Sequence, residues 1–185
     1  MNRGKLIFIT GGARSGKSRF AEEIANKTGK EVIYIATAQA GDEEMKARIQ
    51  KHKDRRSIKW KTFEEPLNVK ILVDRFGLKE KIILIDCLTL HTSNLLLRKE
   101  EKIGDELWQE EVLSEIEKLA KSAFQVPAQV IIVSNEVGMG LVPDNPLGRY
   151  YRDILGRANH IIASQADEVF LMVSGIPLNI KGQRK

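Results

Sequence analysis

The sequence predicts an α/β fold in which a mostly parallel central sheet is flanked by helices, with a short antiparallel strand at the C-terminal edge. Apolar runs of four to five residues recur along the chain, at 6–9, 32–36, 82–85, 130–133 and 169–173. Strands that are apolar on both faces occur in parallel sheets covered by helices. Helical patterns separate these runs, which favours alternating strands and helices over an all-β arrangement.

The predicted covering helices are amphipathic. Between Lys17 and Lys27 the apolar residues fall at helical spacing, and Gly29 stands where a C-terminal cap is expected. From Asp105 to Phe124 a single apolar stripe lies opposite acidic residues. Both segments are therefore expected to pack one face on the sheet and to expose the other.

The end of the chain predicts an exception to the parallel order. Gly175 and Pro177 follow the fifth apolar run and are expected to turn a final strand, 178–181, antiparallel to its predecessor. An antiparallel edge on a parallel sheet is common. The weakest periodicity lies at 138–148, which is predicted to be a long loop, and long loops in compact domains tend to carry function.

Composition limits the class of protein. The chain has 185 residues, enough for one hydrophobic core, so residues 1–185 are expected to form a single domain. No apolar run approaches the about 20 residues that a membrane span needs, and the N-terminus lacks the features of a signal peptide. The one cysteine, Cys87, cannot form an internal disulfide, so a cytoplasmic location is expected.

The net charge of +5 is unevenly distributed. Residues 1–61 carry 15 basic and 7 acidic side chains, whereas residues 62–185 carry 15 and 18. A basic excess is compatible with nucleic acid, with nucleotides or with solubility alone. The excess falls on the segments 11–18 and 46–61. We therefore interpret it as a local binding site for a triphosphate and expect no nucleic-acid partner.

The residues after the first predicted strand match the P-loop pattern GxxxxGK[ST] at every position. In such a loop backbone N–H groups face one phosphate, Lys17 reaches the terminal phosphates, and the Ser18 hydroxyl can hold Mg²⁺. A glycine-rich turn that binds nothing is the alternative, but the strand before the pattern and the helix after it favour a P-loop nucleoside triphosphate hydrolase fold. The predicted nucleotide-binding residues here are Gly11, Gly12, Ala13, Arg14, Ser15, Gly16, Lys17 and Ser18.

A P-loop site also needs a metal-orienting carboxylate at the end of a neighbouring buried strand. Asp86 directly follows the apolar run 82–85 and is placed to hold Mg²⁺ together with Ser18. Alternatively, Asp86 caps a helix that begins near Thr89. The chain has no NKxD-type segment for reading guanine, which disfavours a regulatory GTPase. These features alone indicate a nucleoside triphosphatase or a kinase.

A second basic segment, 46–61, contains eight lysine and arginine residues, one acidic residue and His52. On a helix Met45, Ile49 and His52 share one face, so His52 is predicted to face the protein. Neighbouring cations keep an imidazole neutral and attract phosphate, as a nucleophilic histidine requires. The alternatives are a half-buried structural histidine, a metal ligand without nearby Cys or His partners, and nucleic-acid binding with Trp60 as a stacking platform.

Taken together, these motifs resemble the bifunctional adenosylcobinamide kinase and adenosylcobinamide-phosphate guanylyltransferase family of cobalamin (vitamin B12) biosynthesis. A P-loop is shared by many enzyme classes, whereas the basic histidine segment combined with the NEVGMG segment is specific to this family. The matching stretches are ITGGARSGKS (9–18), YIATAQ (34–39), DEEMKARIQKHKDRR (42–56), WKTFEEP (60–66) and SNEVGMGLVP (134–143), with the last match continuing to residue 181.

The resemblance implies two reactions. The enzyme phosphorylates the hydroxyl of adenosylcobinamide with ATP or GTP and Mg²⁺, and it then transfers GMP from GTP to the new phosphate to give adenosylcobinamide-GDP. In this family a histidine carries the GMP between the two substrates, and that histidine falls on His52. The further nucleotide contacts that the resemblance implies are Thr37, Ala38, Gln39, Lys53, Asp54, Arg55, Arg56, Glu64 and Asp86.

The resemblance also implies a homo-oligomer, a trimer whose neighbouring subunits complete the sites. The region 138–157 is expected to bind the corrin. Glu136 is expected either to help activate the cobinamide hydroxyl or hold metal, or simply to accept loop amides. His91 and His160 fall in helical patterns and are interpreted as structural. Two small departures from the family remain: many members have proline at position 57, and some have Glu at position 86.

Two other functions compete with this interpretation. A P-loop kinase of small molecules without nucleotidyl transfer would leave His52 merely structural. A nucleic-acid-binding ATPase would use the basic segment for phosphate contacts, although Trp60 is the only aromatic residue within it. Covalent labelling of the protein by GTP distinguishes the first interpretation from both.

Overall fold

The computed structural model describes residues 3–41, 43, 46–47, 50, 53 and 57–182. The strands are β1 (Leu6–Gly11), β2 (Glu31–Ala36), β3 (Lys61–Glu64), β4 (Lys81–Asp86), β5 (Gln129–Val133), β6 (Glu168–Val173) and β7 (Ile176–Lys181). The helices are α1 (Lys17–Lys27), α2 (Val69–Phe76), α3 (Leu88–Leu96), a 3₁₀ helix (Leu97–Lys102), α4 (Glu106–Gln125) and α5 (Pro146–Gln165).

The strands form one seven-stranded sheet in the order β3-β2-β4-β5-β1-β6-β7. Neighbouring strands are parallel from β3 through to β6, and β7 alone is antiparallel to its neighbour. The predicted α/β class, with its antiparallel C-terminal edge, is confirmed. Strand β1 lies between β5 and β6. After β1 the chain forms β2 to β5 on one side of β1, and it then crosses to form β6 and β7 on the other side. Open α/β sheets bind ligands at such a switch point.

Both faces of the sheet are buried, which explains the unbroken apolar runs. On one face Leu6 and Phe8 of β1 join a large cluster with apolar residues of α2, α3, α4 and α5. On the other face Ile7 and Ile9 pack with Ala21 of α1 and with residues of the neighbouring strands. In the part of the chain that the structure describes, no helix has the length and apolarity needed to cross a membrane.

Two boundaries differ from the sequence-based prediction. Strand β3 was not expected because KTFE lacks an apolar run; it is an edge strand whose side chains are mostly exposed. The loop predicted at 138–148 ends earlier, because α5 begins at Pro146 and the Asn145 side chain accepts a hydrogen bond from Gly148 N at 2.7 Å. Proline at the first helical position starts a helix as readily as it ends one.

The final turn also differs in detail. It is formed by Ser174 and Gly175, with φ of 50° and 86°, as a tight hairpin requires. Pro177 was expected in the turn but pairs with Met172 in β7, which is an edge strand where proline is tolerated. The predicted helix cap is confirmed, because Gly29 follows α1 in the left-handed region with φ of 66°.

Strand register aligns the loops that follow the strands. Ile9, Val133, Asp86, Ala36 and Glu64 are consecutive partners across β1, β5, β4, β2 and β3, so they form one row near the carboxyl ends of five parallel strands. The segments that leave these strands therefore emerge along one edge of the sheet.

An ion pair fixes the start of β1, the strand that carries the P-loop pattern. Arg3 donates to both carboxylate oxygens of Asp167, at 2.8 and 2.6 Å, and Leu6 N donates to the same carboxylate at 2.8 Å. The hydrogen bond from Arg3 lowers the pKa of Asp167. Asp167 directly precedes β6, so this contact ties β1 to its neighbour at the end opposite the P-loop.

Candidate functional site

The P-loop pattern forms a tight turn between β1 and α1. Gly11 and Gly16 have φ of 148° and 95°, and Arg14 has φ of 57°, so the chain curls back immediately before the first turn of α1. Gly16 is the N-cap residue of that helix. Positive φ is accessible to glycine at little cost, and the curl gathers backbone N–H groups at the positive end of a helix dipole. The arrangement is suited to an anion.

The neighbours of Gly11 leave no room for a side chain. A Cβ atom placed there would lie 2.5 Å from the carbonyl oxygen of Met172 and 3.0 Å from Ser15 Oγ. The first of these neighbours is backbone of the paired strand β6, so it cannot move away by changing rotamer. Both the close approach and the φ of Gly11 therefore require glycine.

Replacing Gly11 with Ala is expected to lower the free energy of unfolding by about 3 kcal/mol, because backbone strain adds to the clash with β6. Chemical denaturation measures this loss. Gly12→Ala is the matched control, since a Cβ atom at Gly12 would meet nothing within 4 Å. Equal stability of the two variants would contradict the packing argument.

Lys17 is held inside the loop. Its side chain is only 7% exposed, and Nζ donates to the carbonyl oxygen of Gly12 at 2.6 Å. Burial lowers the pKa of Lys17, and the charges of Cys87 and Asp86 oppose that shift. The ammonium group thus lies within electrostatic reach of the carboxylate that ends β4, which brings together two residues 69 positions apart.

Two segments that the sequence analysis did not connect to the P-loop hold it in place. Gly175 N, in the β6–β7 turn, donates to Ser15 O at 3.0 Å, and Glu136 N, after β5, donates to Gly11 O at 2.9 Å. The carbonyl groups of Ser15 and Gly11 are thereby satisfied. Among the described residues the buried hydroxyl of Ser15 has no hydrogen-bond partner. No local pattern marks these contacts.

Asp86 is fixed by the neighbouring strand. Tyr34 Oη of β2 donates to Asp86 Oδ2 at 2.5 Å. The backbone amide of Thr37 donates to Asp86 O at 3.1 Å, and the Thr37 hydroxyl bonds both the carbonyl and the amide of Cys87, at 2.7 and 2.8 Å. The N-cap residue of α3 is Cys87, so the alternative in which Asp86 caps this helix is wrong.

Burial is the main influence on the pKa of the Cys87 thiol, which follows Asp86 in the chain. It raises the pKa of Cys87 to about 11, with a further contribution from the charge of Asp86. A thiol with so high a pKa is protonated at neutral pH and is a weak nucleophile. Cys87 therefore serves as packing and as a backbone partner of Thr37.

The oxygen atoms available at this edge suit Mg²⁺. A hydroxyl on Ser18 and a carboxylate on Asp86 are hard ligands, and Mg²⁺ typically takes one or two protein ligands and completes its octahedron with water and substrate phosphate. Among the residues that have been described, no group of three or more His, Cys, Asp or Glu side chains could hold a metal. The donor set fits a metal that arrives with a nucleotide.

The basic segment that contains His52 (46–61), called the histidine segment below, is only partly described. His52, Asp54, Arg55 and Arg56 lie outside the described residues, as do Met45 and Ile49. Lys53 is described, and its Nζ lies 2.5 Å from Glu64 Oε1. Glu64 is the last residue of β3 and the direct partner of Ala36. Two predicted nucleotide-binding residues are thus in contact at the same sheet edge as the P-loop.

The segment that follows β2 begins at Thr37, a residue that is held in place by its neighbours. Thr37 is fully buried, Ala38 is half-buried and Gln39 is exposed, so the chain leaves the protein interior over three residues. Asn94 Nδ2 donates to Thr37 O at 2.8 Å and to Pro66 O at 3.3 Å. Asn94 of α3 therefore holds the chain at both sides of the histidine segment.

His91 reinforces this anchor. Its Nδ1 lies 3.0 Å from Pro66 O, and because a carbonyl can only accept, Nδ1 carries the proton. Burial lowers the pKa of His91. The structural role expected for His91 is confirmed, and His160 lies exposed on α5.

A buried polar network orders the chain after β5. Ser134 Oγ donates to Asn159 Oδ1 at 2.6 Å, Asn159 Nδ2 donates to Asn135 O at 2.9 Å, and Asn135 N donates to Thr89 Oγ1 at 2.7 Å. Glu136 then accepts from Gly138 N at 2.5 Å, which is the loop-amide contact considered for it. The network links the loop after β5 to α3 and α5.

Comparison with known proteins identifies close relatives over almost the whole chain. Residues 7–180 match the family model described as cobinamide kinase / cobinamide phosphate guanyltransferase. The chain is 44% identical over 181 residues to the bifunctional adenosylcobalamin biosynthesis protein CobU of Salmonella typhimurium, covering 95% of this chain and 99% of that protein. It is 42% identical over 175 residues to CobP of Pseudomonas aeruginosa, which carries the same description, covering 95% and 96%.

Solved structures share the fold at low sequence identity. The RadB recombinase superposes with a TM-score of 0.52 and 16% identity, covering 92% of this chain and 74% of that chain. The flagellar accessory protein FlaH of Methanocaldococcus jannaschii gives 0.50 and 14%, covering 99% and 80%. A protein of Pyrococcus horikoshii OT3 gives 0.58 and 8%, covering 100% and 89%. These likenesses concern the fold alone.

Proposed function

Because the chain belongs to the cobinamide kinase / cobinamide phosphate guanyltransferase family, it is a bifunctional enzyme of adenosylcobalamin biosynthesis, and we propose that its chemistry takes place at the carboxyl edge of the sheet. One observation carries this proposal. Buried Lys17 in the P-loop lies within electrostatic reach of Asp86, the strand-end carboxylate held by Tyr34. A cation for phosphate and a carboxylate for its metal thus lie in the same region, beside a curl of backbone N–H groups.

In the kinase reaction the residues 11–18 bind the triphosphate of ATP or GTP. Backbone N–H groups of the loop and the ammonium group of Lys17 stabilise negative charge on the phosphoryl group as it moves. The hydroxyl oxygen of cobinamide forms a bond to the terminal phosphorus, the bond to the bridging oxygen of the nucleoside diphosphate breaks, and the hydroxyl proton is released.

Ser18 and Asp86 are the residues that would hold Mg²⁺. The ion supplies neutralisation of charge on the nucleotide phosphates. The hydrogen bond from Tyr34 fixes one oxygen of Asp86, so the carboxylate is oriented before any nucleotide binds. Orienting a ligand in advance reduces the cost of binding.

In the guanylyltransferase reaction His52 is the nucleophile. A neutral imidazole nitrogen forms a bond to the α-phosphorus of GTP, and the bond to the bridging oxygen breaks to release pyrophosphate. A phosphate oxygen of cobinamide phosphate then attacks the same phosphorus and displaces the histidine, which yields cobinamide-GDP. The covalent intermediate divides one difficult attack of phosphate on phosphate into two easier steps.

The remaining predicted contacts lie before and after this histidine in the sequence. In the sequence Thr37, Ala38 and Gln39 precede the segment 46–61, and Glu64 follows it. The residues that directly follow His52 within the segment are Lys53, Asp54, Arg55 and Arg56. We assign them to nucleotide binding. The contact of Lys53 with Glu64 supports this assignment, because it joins the histidine segment to the sheet edge that carries the P-loop.

The proposal includes the setting in which the enzyme works. We propose a single catalytic domain, a homo-oligomer with trimer stoichiometry, and a cytoplasmic location where nucleoside triphosphates are available. The stoichiometry rests on the resemblance of the sequence to the family. Light scattering of the purified enzyme measures it directly.

Incubation of the purified protein with cobinamide, GTP and Mg²⁺ tests the function. Mass spectrometry is expected to show cobinamide phosphate first and cobinamide-GDP later. With [α-³²P]GTP and Mg²⁺ but no cobinamide, the intact protein is expected to acquire a label that is labile in acid and stable in alkali, as a phosphoramidate is. Formation of cobinamide phosphate without any protein label would support a kinase lacking nucleotidyl transfer.

A further inference from the structure

The part of the chain that contains His52 leaves the sheet after β2 and rejoins it as β3. Thr37 is the first residue after β2, and Pro66 lies two residues beyond the end of β3. Strand β3 has only four residues and lies at the edge of the sheet, with β2 as its neighbour. Because an edge strand is hydrogen-bonded to the sheet on one side only, contacts outside the sheet contribute more to its position.

One amide group holds the chain at both of these points. Asn94 Nδ2 of α3 donates to Thr37 O at 2.8 Å and to Pro66 O at 3.3 Å. Both partners are carbonyl oxygens, which can only accept, so they require the two N–H donors of the asparagine amide. The two carbonyl groups belong to residues 29 positions apart in the sequence. A single side chain of α3 therefore joins the point where the chain leaves the sheet to the end of the strand by which it returns.

Neighbouring contacts show what Asn94 adds. His91, one turn earlier on α3, donates from Nδ1 to Pro66 O at 3.0 Å, and Glu65 N donates to Ala36 O at 2.9 Å. These two hydrogen bonds fix the end of β3, whereas the hydrogen bond to Thr37 O comes from Asn94. Asn94 is thus the residue of α3 that holds the start of the excursion as well as its end.

The hydrogen bonds of Thr37 to the end of β4 do not depend on Asn94. Thr37 N donates to Asp86 O at 3.1 Å, and the Thr37 hydroxyl bonds the backbone of Cys87. Asp86 also keeps its hydrogen bond from Tyr34 when Asn94 is replaced. Loss of the Asn94 amide is therefore expected to release the chain that contains His52 and to leave the P-loop and Asp86 in place.

We propose that Asn94 is a positioning residue for guanylyl transfer, which acts by holding both ends of the chain that contains His52 against α3. This inference rests on the proposed function, in which His52 carries the GMP. A nucleophile reacts fast only when it is held in the geometry of attack, so a looser attachment of its segment lowers the rate of the covalent step. The kinase reaction, which has no histidine nucleophile, is expected to change little.

Asn94→Ala and Asn94→Asp test the inference. Both remove the two N–H donors, and Asn94→Asp keeps the size of the side chain. With saturating [α-³²P]GTP and Mg²⁺ but no cobinamide, the rate of covalent labelling is expected to fall about tenfold in both variants, because the hydrogen bonds to Thr37 and Pro66 are lost. The kcat of cobinamide phosphorylation is expected to stay within about threefold of the wild type. Hydrogen exchange measured by mass spectrometry is expected to become faster in peptides from 38–60.

Ser122→Ala is the matched control. Ser122 is buried on α4 and donates to Asp74 Oδ1 of α2, so its replacement removes a hydrogen bond on the same face of the sheet without touching Thr37 or Pro66. It is expected to lower the free energy of unfolding about as much as Asn94→Ala. The ratio of labelling rate to kinase rate, and the exchange of 38–60, are expected to match those of the wild type.

Two results would overturn the inference. The first is a hydrogen exchange of 38–60 that is unchanged in both Asn94 variants. The second is a labelling rate that is unchanged, or that falls by the same factor as the kinase rate, as a general loss of structure would produce. Absence of label on the wild-type protein would instead refute the proposed function, and the exchange measurement would still decide whether Asn94 holds the segment.

Discussion

Replacing Lys17 with Met is expected to reduce phosphorylation of cobinamide about 10³-fold, with the fold intact. Lys17 Nζ is buried and donates to Gly12 O at 2.6 Å, so its charge is fixed within the P-loop, the proposed site of the triphosphate. A preorganised charge in a desolvated site contributes far more to a transition state than the same charge in water. Methionine keeps the volume of the stem and removes the cation, so kcat is expected to fall more than stability.

The matched control is Lys27→Met, in the last turn of the same helix and exposed to solvent. Its kinase activity is expected to equal that of the wild type. Steady-state kinetics with cobinamide and GTP, together with thermal unfolding of both variants, checks the prediction. Retention of kinase activity within tenfold in Lys17→Met would contradict the assignment of the P-loop to the kinase reaction.

Replacing His52 with Ala is expected to abolish covalent labelling by [α-³²P]GTP and formation of cobinamide-GDP. Alanine has no atom that can form a bond to phosphorus, so the intermediate cannot form. Phosphorylation of cobinamide is expected to stay within about threefold of the wild type, because the site proposed for that reaction is the P-loop with Asp86. Loss of the second activity with retention of the first separates nucleotidyl transfer from kinase activity.

His160→Ala is the control for this experiment, since His160 is exposed on α5. It is expected to label as strongly as the wild type. A label that persists in His52→Ala would place the nucleophile on another residue. Measuring the label on Lys17→Met adds a further distinction: its loss indicates one nucleotide site for both reactions, and its retention indicates two.

Much of the fold follows from local pattern. Five of the seven strands coincide with apolar runs, because a strand buried on both faces must be apolar at every position. Strand β3 has no such run, since it lies at the edge of the sheet and exposes most of its side chains. The predicted loop 138–148 overlaps the start of α5, because Pro146 was assigned to the loop whereas it starts the helix.

The candidate site also has one part that local sequence pattern predicts and one part that it does not. The P-loop is local, so its eight residues could be identified from spacing alone. The contact of Ser15 O with Gly175 N joins residues 160 positions apart, and the hydrogen bond between Tyr34 and Asp86 joins two different strands. Such contacts depend on strand order, which the one-dimensional pattern does not contain.

By itself, then, the sequence determined the α/β class, the P-loop and, through its resemblance to a family, the two reactions, because each depends on residues that are close together in the chain or on motifs that match as strings. Tertiary structure alone decided which distant groups complete the site. The position of β1 between β5 and β6 brings the loop after β5 and the β6–β7 turn against the P-loop. Parallel register aligns Asp86, Ala36 and Glu64 in one row, so the carboxylate of Asp86 and the ion pair of Glu64 with Lys53 lie at one edge of the sheet.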